Sequence, residues 1–69
     1  MIKYYIFEEE LFQEDLSKYR TYGIYASDDR KISDVSLDYD RLEDLVQRMN
    51  EGELHPIHLM DVIEDFLAE

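Results

Sequence analysis

One stretch of this 69-residue chain joins a helix start to a sustained helical apolar pattern: Leu54-His55-Pro56-Ile57-His58-Leu59-Met60-Asp61-Val62-Ile63-Glu64-Asp65-Phe66-Leu67. The remainder of the chain must supply the surface on which this helix packs. Pro56 suits a first helical position, where its missing N–H has no partner to lose and its fixed φ is already helical. His55 then falls at the cap. Leu59, Val62, Ile63 and Phe66, with Met60 and Leu67 beside them, recur at three- and four-residue spacing and predict one broad apolar stripe. Asp61, Glu64 and Asp65 fall on the opposite, solvent-facing side. The pattern predicts a closing helix laid on a core with its acidic side in water.

What precedes it reads as strands and one further helix. Residues 2–7 are β-branched and aromatic, with Ile2, Tyr4 and Ile6 on one side and Lys3, Tyr5 and Phe7 on the other. Glu8-Glu9-Glu10 is read as the end of this first strand. The segment up to Lys18 is compatible with an extended continuation, a short turn of helix or a loose connection. Tyr19 to Ala26 is the second strand, with Gly23 marking a bulge or a close backbone approach. Ser27-Asp28-Asp29-Arg30 is rich in residues whose short side chains bond their own backbone, so a hairpin into Lys31–Leu37 is expected. Leu42, Leu45, Val46 and Met49 then predict a helix from Tyr39 to Asn50. Asp40 and Glu43 have capping-box spacing, and Gly52 is expected to end the helix in a left-handed conformation. The expected fold is α+β, a three-stranded antiparallel sheet followed by two helices packed on one face, in a single domain over 1–69.

Charge limits the partners. Eighteen acidic residues against seven basic ones leave a formal net charge of −11. Such a surface repels phosphates and acidic membranes, so direct binding to nucleic acid or membrane is not expected and a basic protein partner is. Glu51, Glu53, Asp61, Glu64, Asp65 and Glu69 are accompanied by no Lys or Arg after Met49. The absence of cysteine removes disulfides and thiolate chemistry and fits a reducing, cytoplasmic setting. No apolar run approaches the ~20 residues of a membrane span, and no signal-peptide core is visible.

No catalytic template fits. His55, His58 and Asp61 stand one helical turn apart, but they lack the longer metalloprotease signature, and the simpler reading is a cap and an exposed first turn; no metal or other cofactor is expected. Asp38 and Asp40 begin like a calcium loop, yet the sixth position is not glycine and the twelfth is Met49. The serines lack a nucleophile elbow, and the two glycines are too isolated to cradle a phosphate. A non-enzymatic binding role is therefore expected, in one of two forms. In the first, Glu43, Asp44, Glu51, Glu53, Asp61, Glu64 and Asp65 occupy the basic groove of a nucleic-acid-binding protein and inhibit it. Helical carboxylates ~5 to 6 Å apart at Cβ approximate the charge density of a phosphate backbone. In the second, the chain is a homodimer or adaptor that associates through tyrosines on the open sheet face, either Tyr19 with Tyr25 or Tyr5 with Phe7. Residues 9–18 folding back over that face would close it.

The residues Tyr22-Gly23-Ile24, Ser36 with Asp38, Leu42-Glu43 with Leu45-Val46, Asn50, and above all Pro56-Ile57-His58-Leu59 with Asp61-Val62 and Glu64-Asp65-Phe66-Leu67 resemble a family of short bacterial proteins classed as a domain of unknown function. The likeness spans Tyr22 to Leu67 and leaves the first twenty residues outside it. It implies a small bacterial or phage-borne cytosolic protein and brings no activity or site residues. In size and acidity alone the chain is similar to phage-encoded inhibitors of host defence, including anti-CRISPR proteins.

Overall fold

The computed structural model describes all 69 residues and runs β1 (Tyr4–Phe12), β2 (Lys18–Ala26), β3 (Lys31–Ser36), α1 (Tyr39–Glu51), a 3-10 turn (Pro56–His58) and α2 (Leu59–Ala68). The strands form an antiparallel sheet in the order β1-β2-β3. Both helices lie on one face of it. Tyr4, Ile24, Ala26 and Val35 from the sheet form a single core cluster with Leu42, Leu45, Val46 and Met49 of α1 and Leu59, Ile63 and Phe66 of α2. Removing each large apolar side chain of that cluster from water contributes roughly 1.5 to 3 kcal/mol. This is the expected β-β-β-α-α, α+β architecture.

The first hairpin is longer than its composition suggests. Glu8-Glu9-Glu10 does not end β1, which continues to Phe12 and pairs residue for residue with β2 from Tyr4↔Ala26 to Phe12↔Lys18. Residues 9–12 therefore extend the sheet and do not fold over it. The physical reason is cross-strand pairing: Glu8 meets Arg20 at 2.8 Å and Glu10 meets Lys18 at 3.7 Å, offsetting the poor strand propensity of glutamate. On the other face Glu9 accepts from the Ser33 hydroxyl and the Asp34 amide. The tip closes through Gln13 and Leu16, where Asp15 accepts from the amide and the hydroxyl of Ser17.

Three local details differ from expectation. The α1 cap is Asp38, which accepts from the Arg41 amide at 3.2 Å; Asp40 lies inside the first turn. Helix one reaches Glu51 and closes without a left-handed glycine, since Gly52 has φ −83° and Glu53 takes the positive φ of 52°. The Leu54 amide, reaching back to the Met49 carbonyl at 3.0 Å, completes that cap. A left-handed glutamate costs about 1 kcal/mol relative to glycine, so Glu53→Gly is expected to raise stability by up to about 1 kcal/mol, read as a higher urea midpoint at unchanged slope. An unchanged or lower midpoint would show that the cap carries no such strain. Finally, Met60 and Leu67 lie outside the buried stripe of α2. They are 52% and 59% exposed, because Leu59, Ile63 and Phe66 already fill the space over the sheet.

Candidate interaction surfaces

The carboxylates named from sequence are all exposed. On α1, Asp44 pairs with Arg48 at 3.3 Å and Glu51 accepts from the Gln47 amide at 3.3 Å. Hydrogen bonding to Glu43, reinforced by its charge, holds the Tyr39 phenol above its ordinary pKa. Arg41 reaches Glu69 at 3.2 Å and lies over the Phe66 ring at 5.0 Å. On α2, Asp61, Glu64 and Asp65 form no ion pair, nor does Glu53 in the connection. Asp65 lines a shallow cleft between the helices with Leu45, Arg48, Val62, Phe66 and Glu69. Ile57, 71% exposed, joins Met60 and Leu67 as uncovered apolar surface alongside Asp61 and Glu64. Helical spacing alone assigns Met60 and Leu67 to the core, so this mixed acidic and apolar character is not legible in the sequence.

The open face of the sheet is the second surface. Cross-strand partners share a face, so the register Tyr5↔Tyr25, Phe7↔Gly23, Glu9↔Thr21 and Leu11↔Tyr19 places the two tyrosine sets on the same side, not on alternative sides. Tyr5 and Tyr25 stack with ring centroids 5.1 Å apart, Phe7 lies 6.3 Å from Tyr25, and the Lys31 ammonium sits 4.5 Å over the Phe7 ring. Beyond Phe7 the character changes to acid and hydroxyl. Between the pairs Ile24↔Ile32 and Tyr22↔Ser36, residues 33–35 of β3 oppose Gly23 alone. Asp34, at φ 55°, turns its carboxylate over the sheet. It accepts from the Thr21 hydroxyl at 2.8 Å and from the Tyr19 hydroxyl at 2.9 Å, and the latter bond raises the Tyr19 pKa. Thr21 is fully buried beneath this bulge.

His55 caps the 3-10 turn, its Nδ1 accepting from the Ile57 amide at 3.2 Å, and it does not converge with His58 and Asp61 on a cation position. The largest depression, 440 Å³ between Ile2, Asp28, Arg30 and the Leu54–Pro56 segment, holds one cation already committed to Asp28 at 3.1 Å and to the Pro56 carbonyl at 3.1 Å. Tyr4, whose hydroxyl donates to the Leu54 carbonyl at 2.7 Å, has its pKa raised chiefly by burial. No helix is long and apolar enough to cross a membrane.

Fold and surfaces together define a small acidic α+β domain with one uncovered sheet face and a closing helix whose Asp61, Glu64 and Asp65 form no ion pair. Within that class the chain belongs to the family of unknown function DUF6514, whose profile it matches over residues 1–69. The match takes in the N-terminal strand that the sequence resemblance left out. Neither the curated proteins nor the solved structures contain a match to this chain.

Proposed function

We propose that this is a non-enzymatic interaction domain that docks a basic protein partner on α2. The supporting observation is the contrast between the two halves of the acidic surface. Glu8, Glu10 and Asp44 are ion-paired within the chain, whereas Asp61, Glu64 and Asp65 carry no ion pair, and Asp61 and Glu64 stand beside exposed Ile57, Met60 and Leu67. A segment that presents lysine or arginine interleaved with apolar side chains matches both features. Electrostatic complementarity of this kind contributes mainly to encounter rate and selectivity, and the apolar contact to residence time. In its finer form, the acidic row imitates a nucleic acid backbone and inhibits a protein that binds one.

The test is affinity capture from the native host lysate with the parent and with D61K/E64K/D65K, at low and high salt. Basic proteins retained by the parent at low salt should fall about 100-fold with the variant, since three charges change sign at exposed positions where folding does not depend on them. Equal recovery by both would remove α2 as the docking face. For the inhibitory form, a short DNA duplex should compete with the parent for the captured partner. Failure to compete would leave a basic partner without mimicry.

A further inference from the structure

We infer that the open sheet face is a self-complementary surface whose partner is a second copy of this chain. Along the strands the face is bipolar. One end carries Tyr5 and Tyr25 with Lys31, whose ammonium lies over the Phe7 ring and has no carboxylate partner. The other carries Glu9 and Asp34, two carboxylates held in place by hydroxyl and amide donors and matched by no cation. Phe7 and Gly23 lie between the two ends.

A face-to-face pair needs a two-fold axis lying in the plane of contact. Set across the strands at the level of Phe7 and Gly23, that axis stacks β1 on β1 and β3 on β3 with the strand direction reversed. Lys31 of each copy then stands opposite Asp34 of the other, and the Tyr5 hydroxyl stands opposite the Glu9 carboxylate. Phe7, whose ring covers Gly23, meets Phe7 of the other copy. One contact is thus made twice, as an isologous interface requires. Two three-stranded sheets packed this way form a sandwich with an interior about 10 Å thick, the spacing that aromatic and aliphatic side chains fill. Both pairs of helices lie on the outside. The unpaired acids of α2 are then on the far side of each sheet, so the repulsion between two chains of charge −11 acts over the longest distance the fold permits.

Sedimentation equilibrium over a concentration series tests this at moderate salt, which screens the long-range repulsion. The parent should move from 8.4 kDa towards twice that mass. Lys31→Asp sets like charges opposite each other and should weaken association about 100-fold. D61K/E64K/D65K, on the opposite side of the molecule, should leave the mass unchanged, which separates this surface from the α2 docking reading. Hydroxyl-radical footprinting of the parent needs no variant: Tyr5 and Tyr25 should become protected as concentration rises. A mass of 8.4 kDa throughout would overturn the proposal. So would association that Lys31→Asp does not weaken, or that proceeds with Tyr5 and Tyr25 as reactive as in dilute solution.

Discussion

Replacing Gly23 with alanine is expected to destabilise the protein by about 3 kcal/mol or more, the upper end of what overpacking costs, because one of the obstructing atoms is backbone. A chain of this length has a total stability of roughly 3 to 10 kcal/mol, so the change removes about a third of it or more. The residue is needed for space and not for backbone freedom, since its φ is not positive. A methyl group there would fall inside contact distance of the Ile32 carbonyl oxygen on one side and the Phe7 ring on the other. The phenyl ring can rotate away, but the carbonyl is held by the β3 strand. Far-UV circular dichroism against urea would report the loss. A midpoint within about 0.5 kcal/mol of the parent, the range of neutral surface changes, would mean that the bulge yields and that Gly23 is not its determinant.

Truncating Asn50 should have the next largest effect, about 2 to 3 kcal/mol. Its side-chain amide acts as a one-residue extra strand on the free edge of β1. Oδ1 accepts from the Tyr4 amide at 2.8 Å, and Nδ2 donates to the Tyr4 carbonyl at 2.9 Å. Tyr4 is 1% exposed, so both backbone groups lose their partners with little access to water when the side chain is cut back to alanine. Asn50→Asp preserves the acceptor but turns a carboxylate oxygen towards the Tyr4 carbonyl, and should cost at least as much. Amide exchange at Tyr4 separates this account from a general loosening: it should accelerate in Asn50→Ala more than exchange at Ile24, which lies in the central strand. Unchanged protection at Tyr4 would show that water or another group replaces the amide without loss.

These two residues mark the boundary between what was legible in the chain and what was not. Gly23 was readable as a bulge or close approach, because an isolated glycine in a strand has few other uses. The identity of the approaching groups was not, since Phe7 and Ile32 come from two other strands. Asn50 was visible only as part of a helix end. Its role as a cap for a strand 46 residues earlier depends on how α1 crosses the sheet. The Glu8–Glu10 run shows the same limit from the other direction. Local propensity argued for a break, and cations eight to twelve residues further on turned it into the middle of a strand.

The surfaces divide similarly. Charge was countable from the residues, and no Lys or Arg follows Met49 to pair locally with Asp61, Glu64 and Asp65, which form no ion pair. That Met60 and Leu67 stand among them was not readable, because a helical apolar stripe says which residues can face a core and not how wide the core is.

Taken by itself, the sequence determined the elements, their order and the acidity of the closing helix, because each rests on signals within a few residues: alternation, three- and four-residue periodicity, and a proline at a helix start. Only the tertiary structure decided the length of the first hairpin, the side on which Tyr5, Phe7, Tyr19 and Tyr25 gather, and the bulge that places Asp34 over Thr21. Those depend on strand register, and with side chains alternating every residue, a slip of one position would send each tyrosine to the opposite face.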